Sequence, residues 1–164
     1  MTGRGPATGQ RETRWATPFA VLGMVTDGDV LTGVRYLPRS IAPVAPLDRI
    51  AERACREIDR YLADPEYRFT VPYRLDGTPF QQRVWREIEK LYPIKTITYG
   101  AMARRLHSGP RAVGGACGAN PVPLIVPCHR VLAAGGALGG FMGGKDPFPL
   151  GVKRWLLRHE GILE

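Results

Sequence analysis

One pair of neighbours, Cys128 and His129, can do chemistry that the rest of the chain cannot. A thiolate is a strong nucleophile, and an imidazole is the side chain best placed to take a thiol proton near neutral pH. The approach to the pair, Asn120-Pro121-Val122-Pro123-Leu124-Ile125-Val126-Pro127, is apolar and studded with proline. Proline fixes φ and donates no backbone hydrogen bond, so the run is predicted to be a buried, non-helical segment that holds the thiol rigidly. A rigid thiol beside a base is the arrangement of an activated nucleophile. Cys55 lies within a helical pattern and Cys117 among Gly and Ala, and both read as small packing residues. No Cys-x-x-Cys occurs and the His and Cys positions lack ligand spacing, so neither a metal nor another cofactor is expected. Glu160 is an anomaly. It closes the last helical pattern, where the helix dipole disfavours an anion by up to about 1 kcal/mol, so it has some task other than helix stability.

These residues need a scaffold, and the chain has enough apolar content to build one: 44% of its 164 residues are hydrophobic. Residues 1–14 are almost free of apolar side chains and read as a flexible tail. Phe19-Ala-Val-Leu-Gly-Met-Val and Val30-Leu-Thr-Gly-Val-Arg-Tyr-Leu flank Thr26-Asp-Gly-Asp, the pattern of a hairpin. Leu47 to Ala63 reads as an amphipathic helix with Leu47, Ile50, Ala54, Ile58 and Tyr61 or Leu62 on one face. Arg68 to Tyr73 reads as a further strand. Together, residues 15–76 form a small α+β unit with a scaffolding role. Asp76-Gly77 marks a junction, and residues 77–164 form a mainly helical second domain.

In that second domain Thr78-Pro79-Phe80-Gln81 is a capping-box start for a helix that ends before Pro93. Thr98 caps a short helix, Tyr99 to His107. Ser108-Gly109-Pro110 turns the chain into a third, Arg111 to Ala119. Helix, glycine-containing turn and helix are compatible with a helix-turn-helix. The third helix carries three glycines, each costing roughly 1 kcal/mol against alanine, so its smooth face serves either tight packing or close approach to DNA. Gly135 to Gly144 is a glycine-rich loop that lets backbone approach a ligand. The last helix runs from about Leu150 to Glu160, with Val152, Trp155, Leu156 and His159 inward. The fold class is α+β.

Charge points to the partner. The net charge is +8, and residues 78–164 carry 12 Lys/Arg against 5 Asp/Glu. From Lys90 to Lys145, 56 residues contain no carboxylate side chain. A merely solubilising surface does not require that, whereas a polyanion partner does, and nucleic acid is the first choice. Three cysteines make no disulfide framework, which favours a reducing, intracellular setting. No apolar run approaches a membrane span.

Pro127-Cys128-His129-Arg130-Val131 resembles the active-site signature of the O6-alkylguanine-DNA alkyltransferases, the methylated-DNA–protein-cysteine methyltransferases. The resemblance covers roughly residues 77–161. It runs through Gly77-Thr78-Pro79-Phe80-Gln81, Val84-Trp85, Thr98-Tyr99-Gly100, Arg111-Ala112-Val113-Gly114, Asn120-Pro121, Gly143-Gly144 and Leu156-Leu157 with Glu160-Gly161. It implies a monomeric suicide repair protein that binds duplex DNA, flips an O6-alkylguanine (or O4-alkylthymine) out of the stack and transfers the alkyl group irreversibly to Cys128. In that role His129 acts through water as the base, Glu160 holds His129, Asn120 pins the turn that carries the thiol, and Tyr99 assists the departing base. Arg111, Ala112, Gly114, Gly115, Arg104, Arg105 and Arg130 meet DNA. Tyr99, Val131, Phe141, Met142 and Gly143 form the pocket.

Four departures from the family pattern stand out. Tyr92-Pro93-Ile94 replaces the usual Pro-aromatic-Gly, so that loop must bend differently. Leu106 to Arg111 is short. Phe141 stands where Tyr is common, and Lys145-Asp146-Pro147-Phe148-Pro149 looks like an insertion. The family's occasional N-terminal zinc site lacks its ligands here. Two other classes compete. A lesion-binding helix-turn-helix protein without transfer activity would lack the acceptor thiol, which is present. A cysteine hydrolase or thiol redox protein would leave the basic half unexplained.

Overall fold

The computed structural model describes residues 11–164. Its first layer is an antiparallel sheet of three strands, β1 (Thr13–Ala16), β2 (Val21–Asp27) and β3 (Val30–Leu37), in the order β1-β2-β3. Helix α1 (Arg49–Ala63) packs across it. The hairpin between β2 and β3 closes on Asp27 opposite Val30, with Gly28 at φ 59°, a left-handed conformation that glycine adopts without a Cβ clash.

Three sequence expectations need correcting in this layer. The predicted tail spans residues 1–14, of which 1–10 lie outside the described residues. Residues 13–14 instead belong to β1, and Glu12 is buried. Its carboxylate binds Arg14 at 3.0 Å and Arg35 at 2.7 Å over Gly23, where a Cβ would sit 2.5 Å from the acid. This face of the sheet thus carries a buried carboxylate with two arginine partners, which hydrophobicity cannot reveal. Second, Leu47 lies outside α1 and is 42% exposed, because Asp48 caps the helix by accepting the Ala51 N–H. Third, Arg68 to Tyr73 is not a strand. The N–H groups of Thr70 and Val71 go to the buried Glu57 carboxylate at 2.6 and 3.2 Å, which withdraws them from a ladder. Only the end of the segment touches β3, where Leu31 N–H donates to Pro72 O and Arg74 N–H to Leu31 O.

The second layer holds α2 (Pro79–Glu89), β4 (Ile97–Thr98), α3 (Tyr99–Arg105), α4 (Pro110–Gly118), β5 (Val131–Leu132) and α5 (Pro147–His159). The capping box at Thr78 and Gln81 is present in both directions. Val84, Trp85 and Ile88 are fully buried, and the Trp85 indole N–H donates to Ala116 O at 2.8 Å, tying α2 to α4. Thr98 caps α3 through the Ala101 N–H. The helix pair α3–α4 joins through Leu106–Gly109, with His107 at φ 53°. The Tyr92–Pro93 peptide is cis.

The stretch Lys145–Pro149 is not a free-standing insertion. Pro147, Phe148 and Pro149 form the first turn of α5. Proline is tolerated there because the first N–H groups of a helix have no partner within it. One apolar core runs through both layers, from Leu22 and Met24 to Val152 and Leu156. A direct bond, Val34 N–H to Pro121 O at 2.9 Å, docks the outer edge of β3 on the segment that leads to Cys128.

Candidate active site

The Pro-rich run is buried throughout, from Asn120 to Leu132. Asn120 explains its shape. The side-chain NH2 donates to Val126 O and the side-chain oxygen accepts from Val122 N–H, both at 2.9 Å. One amide thus clamps both ends of a loop whose prolines cannot form a ladder. Leu124 inside it sits at φ 74°, a conformation that a branched side chain adopts only when its surroundings impose it. A single 3-10 turn, Cys128–Arg130, follows. It points Cys128 into a cavity and sends His129 and Arg130 back into the protein.

His129 and Glu160 meet there. His129 Nε2 lies 2.7 Å from Glu160 Oε2, with both side chains fully buried. Arg130 binds the same carboxylate with two bonds, Nε to Oε1 at 2.9 Å and Nη2 to Oε2 at 3.1 Å, and donates a third to Leu91 O at 2.6 Å. Tyr61 from α1 donates to Glu160 Oε2 at 2.6 Å. Glu160 is the C-cap of α5, so the unfavourable dipole position found in the sequence is real and is offset by these partners.

Burial alone would raise the Glu160 pKa, but His129 and Arg130 outweigh it and hold the carboxyl well below its ordinary range. An ionised carboxylate only accepts, so His129 Nε2 carries the proton and Nδ1 keeps its lone pair. Burial holds the His129 pKa below its ordinary value even against Glu160, which leaves the imidazole neutral and able to act as a base. The Cys128 thiol is pushed up to about 11 by burial, with Asn120 and Lys153 acting in the opposite direction. It therefore rests protonated, and any reaction through a thiolate requires a base.

These shifts make a stability prediction. His129 and Glu160 both bind protons more weakly in the folded than in the unfolded state. Stability therefore falls as pH drops below 6.5 for His129 and again below 4.5 for Glu160. A melting-temperature series from neutral to acid pH should show a decline that begins near the first value. Replacing His129 with Gln should flatten that first part.

The cavity before Cys128 has a volume of about 760 Å³. Its walls come from Tyr99 on α3, the face of α4 from Pro110 to Gly118, and the loop Gly139–Lys145. Gly118 and Gly143 touch so closely that a Cβ on Gly118 would lie 2.9 Å from Gly143 Cα. Gly114 and Gly115 differ: a Cβ at either meets nothing within 4 Å. The small-residue helix thus splits its work, one glycine for internal packing and two for an open face.

Lys153 organises the loop wall. It lies on the buried side of α5 and its ammonium donates to Leu138 O at 2.6 Å, Val131 O at 2.8 Å and Gly140 O at 3.0 Å, and lies 3.4 Å from the Tyr99 hydroxyl. Burial pulls its pKa down to about 8. The Tyr99 hydroxyl donates to Gly140 O at 3.3 Å.

The structure brings Cys128, His129, Glu160 and Asn120 together, and it lines the cavity with Tyr99, Phe141, Met142 and Gly143. Arg111, Ala112 and Gly115 are exposed on α4, Gly114 is half-buried beside them, and Arg104 and Arg105 are exposed on α3. Two assignments need correcting. Arg130 cannot meet DNA, because it is buried against Glu160 with its guanidinium 5.1 Å from the Tyr92 ring. Val131 does not line the cavity. It pairs with Ile97 across β4–β5, and Ala133 takes its place in the wall. Sequence reasoning missed Lys153 and the contribution of Tyr61. A lysine at 153, on the stripe of Val152, Leu156 and Leu157, was the available signal for the first.

The fold and site define a class: an α+β DNA-binding protein in which a helix-turn-helix borders a cavity floored by a buried cysteine with a His–Glu pair behind it. Residues 79–162 match the family model described as 6-O-methylguanine DNA methyltransferase, DNA binding domain. A methylated-DNA–protein-cysteine methyltransferase of Haemophilus influenzae is 32% identical over 158 residues, covering 92% of this chain and 86% of that protein. The Shigella flexneri protein of the same name is 42% identical over 96 residues, which cover 57% of this chain and 53% of that relative, about half its length. The crystal structure of Mycobacterium tuberculosis OGT in complex with DNA superimposes with a TM-score of 0.74 at 33% identity, covering 93% of this chain and 94% of that one. The chain belongs to the methylated-DNA–protein-cysteine methyltransferase family. Among the described residues, no helix is long and apolar enough to cross a membrane.

Proposed function

We propose that this protein repairs alkylated DNA by moving the alkyl group from O6-alkylguanine in a duplex to its own Cys128, once per molecule. The observation that carries this reading is the buried Cys128 at the floor of a cavity whose rim is the exposed face of α4, with a neutral His129 behind the thiol. An atom inside a base stack cannot reach a buried sulfur, so the damaged nucleotide must leave the helix, at a cost of a few kcal/mol that is least for a weakened pair. Gly114 and Gly115 let the sugar–phosphate backbone approach α4, and Arg111 at its start fills the gap left in the stack. Arg104 and Arg105 meet phosphates.

In the site, the Cys128 proton passes through water to His129 Nδ1, and Glu160 stabilises the imidazolium. The sulfur then attacks the alkyl carbon, and the electron pair of the carbon–oxygen bond stays with the guanine. Tyr99 donates a hydrogen bond to the departing base. The product is a thioether, which nothing in the site can cleave. The protein acts as a monomer, where the cell keeps its DNA.

Two measurements on one variant test the reading. Cys128→Ala should bind a lesion-bearing duplex as tightly as wild type, with affinity falling steeply as salt rises, and should accept no alkyl group. A Cys128→Ala protein that still removes the lesion, or binding that does not depend on salt, contradicts it.

A further inference from the structure

Among the described residues, two buried side-chain polar atoms have no hydrogen-bond partner: His129 Nδ1 and the hydroxyl of Tyr36. Leaving such an atom unmatched costs about 1–3 kcal/mol, so a pair of them calls for an explanation. Tyr36 is on β3, in the layer that showed no catalytic cluster from sequence. It is 2% exposed. Val34, two residues earlier and on the same strand face, fixes this edge to Pro121 by its 2.9 Å bond. The Tyr36 ring packs on Phe141 of the cavity wall, 5.8 Å between centroids, and on Phe19 at 6.3 Å.

The surroundings of the phenol are those of the transfer machinery. Burial first, and then Cys128 and Glu160, push its pKa well above the ordinary value, so it stays a donor. Around His129 the charged groups are Glu160, Arg130 and Lys153. A phenol that donates and an imidazole nitrogen that accepts are complementary to a single water. A water held between them would accept from the Tyr36 hydroxyl and from the thiol and would donate to Nδ1. Three polar partners are what a buried water ordinarily has.

We propose that Tyr36 is a positioning residue for alkyl transfer: with His129 Nδ1, its hydroxyl holds the water through which the Cys128 proton leaves. The inference rests on the functional reading above. The thiol S–H bond breaks, the water takes that proton and gives one of its own to Nδ1, and the sulfur keeps the electron pair that forms the new carbon–sulfur bond. The guanine keeps the pair from the broken carbon–oxygen bond and takes up one proton from solvent, and the imidazolium of His129 releases one to solvent, so no proton is gained or lost overall. The N-terminal layer thus contributes to the reaction through Tyr36.

Tyr36→Phe retains the ring and its packing and removes only the hydroxyl. Single-turnover transfer from an O6-methylguanine duplex should slow by about tenfold, a fraction of what proton transfer by a positioned group contributes. The rate–pH profile should shift toward alkaline pH, where the thiol ionises without help. Affinity for the duplex and the melting temperature should not fall. Transfer at the wild-type rate with an unchanged profile overturns the inference. So does a slower rate with an unchanged profile, or one explained by loss of DNA affinity or of folded protein. Wild-type protein that accepts no alkyl group overturns the functional reading itself, whereas wild-type and variant that transfer equally fast overturn this inference alone.

Discussion

Glu160→Gln is expected to lower stability by about 3–5 kcal/mol, the cost of breaking a buried ion pair from one side, and to slow alkyl transfer by about a hundredfold or more. The carboxylate accepts from His129, twice from Arg130 and from Tyr61, so four donors converge on it, three of them at Oε2. A glutamine places an NH2 group against those donors and leaves the Arg130 charge buried without a counter-ion. It also removes the anion that stabilises imidazolium. Glu160→Asp keeps the charge but withdraws it by one methylene, and should fall between wild type and Gln on both scales. Denaturant titration and single-turnover kinetics measure the two effects separately. DNA affinity of the folded fraction should hold, since Arg104, Arg105 and Arg111 lie on α3 and α4 rather than around Glu160. Wild-type stability in Glu160→Gln would show that the Arg130 pair does not hold the site.

Lys153→Met is the second large effect. Its ammonium supplies three carbonyl oxygens, those of Val131, Leu138 and Gly140, from inside the protein. Each carbonyl left without a donor costs about 1–3 kcal/mol, and Met, though similar in length, donates nothing. The loop from Leu138 to Gly144 then loses its anchor to α5, and the cavity loses a wall. Transfer should fall by about a hundredfold, because a misplaced pocket costs rate even when the reacting groups are intact. Hydrogen exchange should rise in that loop while α2 and β2 stay protected. Unchanged exchange and unchanged rate would mean that the glycine-rich loop is held by its own turns.

Much of the scaffold is legible in the sequence because it obeys local rules. Thr78 and Gln81 announce α2, Thr98 announces α3, and the Asp27-Gly28 turn announces the hairpin. The site is legible where a residue breaks a rule. Glu160 at the negative end of a helix and Cys128 after a run of prolines each point to a function through residue type and position alone. What local rules do not carry is who pairs with whom across the fold. Arg130 lies within the signature and is basic, so it reads as a DNA contact, yet it is the counter-ion of Glu160. Thr70 and Val71 have strand-like composition, but Glu57 from α1 takes their N–H groups. Pro147 and Pro149 look like loop residues because proline breaks helices, although the first helical turn is where it does not. Tyr36 is hidden for the same reason: an alternating strand predicts that its ring is buried, not that its hydroxyl is left without a partner beside the cavity wall of the other layer.

The central claim is that Cys128 is the acceptor, and a second thiol makes the test sharp. Cys117 lines the same cavity, with its pKa raised even further by burial. Cys55 is buried in α1. After incubation with excess O6-methylguanine duplex, intact-protein mass spectrometry should show one methyl group per molecule and no more, and peptide mapping should place it on Cys128. Methylation of Cys117 or Cys55 in its stead, or repeated turnover without a mass gain, would contradict the account.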